Sequence, residues 1–139
     1  MHAFLFDASA LVKRYAPEVG AAVVDYLFAQ AGRGRLLCLM RGVAEVSAAL
    51  VRKRNSGSIT SPMFAAAMTQ LRMEVLMAAD FIKLPADNAL IATAISLAEK
   101  HAINATDTIV LQTALTITAQ RRAGGRSLPW GLACKGPRP

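Results

Sequence analysis

Short apolar runs alternate with longer amphipathic stretches along this chain, which predicts strands separated by helices. The apolar runs cover residues 3–6, 35–40, 81–84 and 130–134. The first run and residues 36–39 of the second are continuously apolar, as expected for strands buried on both faces of a parallel sheet. Between them, helical spacing of apolar residues predicts helices over residues 8–15, 18–31, 42–54, 63–79, 87–102 and 107–120. Two helical segments between successive strands imply parallel pairing and right-handed crossovers, so we expect an α/β fold.

The helix predicted over residues 63–79 is rich in methionine. Ser61 is its expected cap and Pro62 its first residue, because proline is favoured at the first helical position. The methionines are Met63, Met68, Met73 and Met77. Methionine adapts to irregular gaps, so we expect these side chains to fill the core. The alternative is an exposed groove for a partner helix.

Length and composition restrict the class of protein. The 139 residues predict a single domain over 1–139, and the hydrophobic fraction of 54% argues against disorder. No apolar stretch approaches the 20 or so residues of a membrane span. The start of the chain has no basic segment or cleavage site of a signal peptide, and Cys38 and Cys134 lack metal-binding spacing. We therefore expect a cytoplasmic protein with reduced thiols.

Positive charge is in excess, with 16 Lys and Arg against nine Asp and Glu. Such a balance favours acidic partners, and nucleic acid is the first candidate. Several clusters follow predicted helices, where cations also complement the helix dipole, but this does not explain the excess. The candidate phosphate-binding residues are Lys13, Arg14, Arg52, Arg121, Arg122 and Lys135.

Three carboxylates follow strands or begin helices. Asp7 ends the first strand, Glu45 lies early in the helix after the second, and Asp107 opens the last helix. In a parallel sheet these positions share one edge, so the three side chains are expected to converge. Clustered carboxylates repel unless a cation joins them, and Mg²⁺ or Mn²⁺ prefers oxygen ligands. The alternative is that these acids only cap helices, as Asp87 is expected to do.

These motifs resemble the PIN-domain family, especially VapC-type toxins. The resemblance rests on residues 4–13 around Asp7, residues 43–46 around Glu45, and residues 86–115 around Asp107. It implies a PIN-like three-layer α/β/α fold with a central, mainly parallel sheet of four to five strands. It also implies a metal-dependent endoribonuclease in which Asp7, Glu45 and Asp107 hold Mg²⁺ or Mn²⁺. Ser9 and Thr106 match supporting positions of the site.

The resemblance further implies partners. The substrate would be RNA, tRNA being one candidate, and the basic clusters would hold its backbone. A small antitoxin of the VapB type would bind apolar surface left by the first two helices and the methionine-rich helix. Such toxins also suggest a homodimer.

The chain departs from the family pattern near its end. A fourth acid is expected just after the fourth strand, and Gly136 stands there. The domain is therefore expected to be truncated or altered after about residue 130. One hypothesis is a three-acid site that still cleaves RNA. The other is a catalytically impaired PIN-like module that binds RNA or an antitoxin without cutting.

Overall fold

A parallel sheet lies at the centre of the first part of the chain. The computed structural model describes residues 2–32 and 34–124. Its strands are β1 (Phe4–Phe6), β2 (Leu36–Leu39) and β3 (Phe81–Leu84), in the order β1-β2-β3. Phe6 pairs with Cys38, and Cys38 pairs with Lys83, all in parallel register. The first three predicted strands are thus present, while the strand predicted at residues 130–134 lies outside the described residues.

Helices connect the strands in the predicted order. They are α1 (Ala8–Leu11), α2 (Ala21–Gln30), α3 (Met40–Asn55), α4 (Ser61–Leu71), α5 (Asn88–His101) and α6 (Ala105–Arg122). A 3₁₀ turn at Val12–Arg14 continues α1, and a π-helical turn at Arg72–Leu76 continues α4. The helical segment therefore ends at Leu76, earlier than the predicted residue 79.

The chain divides into two compact units. The first, Met1–Leu84, contains the sheet and helices α1 to α4. The second, Pro85–Pro139, contains α5 and α6, which pack against each other. A single domain over residues 1–139 stays a prediction.

Side-chain caps set several helix starts. Asp87 caps α5 by accepting a hydrogen bond from the Leu90 N–H at 2.8 Å, as predicted. The prediction for α4 was wrong by one residue, since the Thr60 hydroxyl accepts from the Met63 N–H at 3.3 Å. Helix α2 starts at Ala21, three residues later than expected. Gly20 has φ +90°, a left-handed conformation that does not occur inside a right-handed helix, so the helix begins after it.

The strands are buried on both faces, and one large apolar cluster of the first unit lies on the face that carries Phe6, Cys38 and Phe81. Phe6, Phe28 and Phe81 form an aromatic cluster with ring centroids 5.8 to 6.5 Å apart. Leu11, Val46, Leu50, Leu71 and Val75 from the surrounding helices complete this core and are fully buried. The helices α1 to α4 are thus held against β1 and β2 by apolar packing, which fixes the segments that follow those strands.

The methionine prediction was largely wrong. Only Met68 packs against the core. Met63, Met73 and Met77 are exposed, Met77 by 73%. Leu71 and Val75, four residues apart, take the inward positions in this stretch, and Met73 and Met77 lie two residues after each of them. The methionines near this turn therefore face away from the core.

Candidate metal-binding edge of the sheet

Asp7 is placed by the turn from β1 into α1. Its backbone is extended, with φ −79° and ψ 172°, and it is the N-cap of α1. Oδ1 accepts a hydrogen bond from the Ala10 N–H at 2.7 Å, and Oδ2 accepts one from the Ser9 hydroxyl at 2.8 Å. The capping interpretation of Asp7 is therefore confirmed. Each carboxylate oxygen has more than one lone pair, so Asp7 can cap the helix and still bind a cation.

Glu45 is placed by the direct passage of β2 into α3. The helix begins at Met40, immediately after Leu39, and Glu45 lies in its second turn, half-buried. Because β1 and β2 are neighbouring parallel strands and α1 packs against α3, Asp7 and Glu45 lie at the same edge of the sheet.

Arg41 is a functional candidate that the sequence analysis missed. Its Nε and Nη2 lie 3.2 Å and 3.1 Å from Oε1 of Glu45. Both residues are on α3, four positions apart, so their side chains are neighbours on the helix surface. That spacing is visible in the sequence and was the signal that could have identified the pair.

Asp107 lies in the second unit, where it is the third residue of α6 rather than its first. Asn104 is the cap, because its Oδ1 accepts the Asp107 N–H at 2.9 Å. Asn104 Nδ2 in turn donates to Asp107 Oδ2 at 2.5 Å. Asp107 is exposed, and Thr106 beside it is half-buried. Asp107 is therefore an acid at a helix start, where the helix dipole favours negative charge.

The edge of the first unit has a donor set that fits a hard divalent cation. Asp7 and Glu45 both offer carboxylate oxygens and are half-buried. Mg²⁺ is commonly held by one or two carboxylates, with waters and substrate phosphates completing its coordination. Within residues 2–32 and 34–124, no group of three or more His, Cys, Asp or Glu side chains is close enough to hold a metal ion. Two carboxylates at this edge are the arrangement that fits.

Arg14 differs from the other candidate phosphate-binding cations. Its Nε and Nη2 donate to the two carboxylate oxygens of Glu74 at 3.1 Å and 2.7 Å, and Nη1 donates to Asp25 at 2.8 Å. The hydrogen bonds to Glu74 raise the pKa of Arg14 above its usual range, with burial opposing and Asp25 adding to the shift. Since two carboxylates neutralise this guanidinium, it is a poor phosphate ligand.

The remaining cations are more accessible. Arg52, near the end of α3, and Arg121 and Arg122, at the end of α6, are exposed, while Lys13 is half-buried. Lys135 and Gly136 lie outside the described residues. Three of the five described candidates thus present exposed charge.

A cavity of about 500 Å³ lies in the first unit, near the start of the strands rather than their ends. Leu36 and Phe81, the first residues of β2 and β3, contribute to its lining, together with Arg14, Asp25 and Glu74. Because Asp7 and Glu45 follow the strand ends, this cavity is distinct from the carboxylate edge.

No described helix is long and apolar enough to cross a membrane. No family model matches the chain, and no curated protein matches its sequence. The structure is similar to the crystal structure of VapC20 of Mycobacterium tuberculosis, described as a sarcin-ricin-loop-cleaving toxin. The TM-score is 0.59 and the identity 13%, over 88% of this chain and 84% of the toxin. At this identity the similarity establishes the fold, and the predicted PIN-like α/β fold of the VapC type is confirmed.

Proposed function

We propose that this protein is a metal-dependent endoribonuclease resembling the toxin of a VapBC-type toxin–antitoxin pair. The observation that carries the proposal is the position of Asp7 and Glu45. Both half-buried carboxylates lie where neighbouring parallel strands end, in a chain whose fold is similar to that of an RNA-cleaving toxin. In α/β sheets this edge is the usual place for ligands.

The proposed site would hold Mg²⁺ or Mn²⁺ through Asp7 and Glu45, and Asp107 is the third acid that the resemblance to PIN domains implies. When bound, such an ion supplies an activated water and neutralises charge that develops on the phosphate. Asp7 is held for this role by the Ala10 N–H and the Ser9 hydroxyl, so its carboxylate needs no reorientation. Thr106 is the proposed supporting hydroxyl beside Asp107.

The proposed substrate is RNA, which would be met in the cytoplasm. Lys13, Arg52, Arg121, Arg122 and Lys135 are the proposed phosphate contacts, with Arg14 excluded because of its ion pairs. Phosphate contacts position a nucleic acid and carry little sequence information. The similar toxin is described as cleaving the sarcin-ricin loop. A test pool should therefore contain both rRNA and tRNA.

A small antitoxin of the VapB type is the proposed protein partner, with a homodimer as the proposed assembly. Exposed apolar side chains on α2 and around the π-helical turn support such a partner. Tyr26 is 65% exposed and Met73 is 61% exposed, and Val23 and Met77 are exposed as well. Large apolar side chains clustered at the surface are typical of protein-binding sites.

The deciding experiment is cleavage of a mixed RNA pool by the purified protein with Mn²⁺ or Mg²⁺. We expect discrete cleavage products that disappear when EDTA is added. The Gly136→Asp variant, which restores an acid at the position where relatives carry one, should cleave faster. Cleavage that continues in EDTA would contradict a metal-dependent mechanism.

The second candidate is a PIN-like module that binds RNA or an antitoxin without cutting. Gly136 favours it, because the fourth acid of the family pattern is missing there. No cleavage by the natural chain, with cleavage by Gly136→Asp, would identify an impaired site on an intact fold. No cleavage by either protein would favour the binding module.

A further inference from the structure

We propose that Arg41 competes with the divalent cation for Glu45 and thereby lowers the metal affinity of the site. The inference rests on the proposed function, since it concerns the same carboxylate edge. It assigns a role to a residue that belongs to none of the acidic motifs. In this role Arg41 is a positioning residue that acts through Glu45.

The geometry places the guanidinium where it occupies a potential metal ligand. Arg41 Nε and Nη2 are both directed at the same oxygen, Glu45 Oε1, at 3.2 Å and 3.1 Å. The side chains are 41% and 32% exposed. Ions and water can therefore reach the pair, and an incoming cation can exchange with the guanidinium.

Helix stability does not explain the pair. Arg41 is the second residue of α3, where the helix dipole disfavours a positive charge. The order is also unfavourable, because an acid four residues before a base stabilises a helix better than the reverse. Exposed ion pairs of this kind contribute little to folding. A role for Arg41 in the local electrostatics of Glu45 is the better explanation.

Electrostatics give the pair two opposing effects. Without metal, the guanidinium offsets the negative charge of Glu45 and holds its carboxylate in place. A divalent cation held by Glu45 would be repelled by the same positive charge. Arg41 therefore stabilises the metal-free site and weakens metal binding.

The test is the affinity for Mn²⁺, measured by isothermal titration calorimetry. Arg41→Gln removes the charge, and we expect it to bind Mn²⁺ about tenfold more tightly than the natural protein at low salt. Arg41→Lys keeps the charge and should stay within about threefold of the natural protein. Glu45→Gln should bind much more weakly.

Arg54→Gln is the matched control. Arg54 is exposed on the same helix, nine residues after Glu45, which is about 13 Å along the axis. The Arg54→Gln substitution removes the same net charge as Arg41→Gln but should leave the Mn²⁺ affinity unchanged. Equal tightening by Arg54→Gln and Arg41→Gln would show a general charge effect and overturn the inference.

A second readout is the rise in melting temperature on adding Mn²⁺, which reports binding to the folded state without requiring cleavage. We expect a larger rise for Arg41→Gln than for the natural protein. Equal affinities for these two, with weaker binding by Glu45→Gln, would overturn the role of Arg41 and leave the proposed metal site standing. No Mn²⁺ binding by any of these proteins would overturn both.

Discussion

Two arginines in the first unit pair with carboxylates in contrasting ways. Arg14 is 27% exposed and holds Glu74, sixty residues away, through two parallel hydrogen bonds, while also reaching Asp25 on α2. Arg41 is more exposed and contacts a carboxylate one turn along its own helix. The first arrangement joins segments that are distant in the chain, and the second joins neighbours.

The contrast separates charges that hold the fold from charges available for chemistry. A planar guanidinium that donates two hydrogen bonds to one carboxylate is already ordered, and its donors are not available to other ligands. The Arg14 cluster also carries an aromatic contact, with the guanidinium 5.0 Å from the Phe28 ring centre. The carboxylates at the strand ends are held by local contacts, which an incoming cation can replace at modest cost. Two predictions test this difference, and a third tests the buried interior beside these strand ends.

The largest effect is expected for Asp7→Asn. Asparagine caps a helix as well as aspartate, so stability should be nearly unchanged. The loss of one metal-binding charge should reduce RNA cleavage on the order of 100-fold or more. RNA binding, measured by filter retention, should stay the same or become tighter, because a negative charge is removed.

Asp87→Asn is a closely matched control. Asp87 caps α5 with φ −79° and ψ 171°, almost the conformation of Asp7, and also accepts from the N–H three residues on. It should keep full cleavage activity. Equal losses in both variants would mean that capping, and not metal binding, explains the effect at Asp7.

The second prediction compares Arg14 with Arg52 in their effects on stability and on RNA binding. Arg14→Gln should destabilise the protein by about 1–3 kcal/mol in urea unfolding, because Glu74 and Asp25 lose a charged partner, with little change in RNA affinity. Arg52→Gln should leave stability within about 0.5 kcal/mol but weaken RNA binding and reduce its salt dependence by about one phosphate contact. The comparison fails if Arg14→Gln weakens RNA binding as much as Arg52→Gln while remaining stable.

A smaller effect is expected from the pH dependence of folding stability, through the buried thiol of Cys38 in β2. Burial raises the pKa of Cys38 to about 12, with Lys83 partly opposing the shift. The unfolded thiol titrates near 9, so folding stability is complete below that pH and falls as pH rises from there towards the folded pKa. The slope should reach up to about 1.4 kcal/mol per pH unit.

Urea unfolding between pH 8 and 10 measures this slope. Cys38→Ala should lower stability overall but flatten its dependence on pH. A flat profile in the natural protein would contradict a buried, neutral Cys38. Burial also raises the pKa of Tyr15, which adds to the loss of stability at pH values above 10.

Helix ends and the methionine positions show where sequence patterns were insufficient. Thr60 and Ser61 are both good caps, and only the backbone conformation selects Thr60. Gly20 takes a left-handed conformation that excludes it and its predecessors from α2. Ala67, Leu71 and Val75 face inward at helical spacing, whereas Met63, Met73 and Met77 lie on the exposed side, so methionine content did not identify the buried side. Each difference arises because a local pattern allows two structures and tertiary packing selects one.

The sequence alone determined the strand and helix order and the position of Asp7 and Glu45 after neighbouring strands. Continuous apolar runs and helical periodicity are local properties, and parallel crossovers follow from them. Only the tertiary structure decided that Arg14 is held by Glu74 and Asp25 and that Met63, Met73 and Met77 are exposed. The pairing of Arg14 depends on side chains meeting across elements, and chain order does not specify which partner such a charge finds.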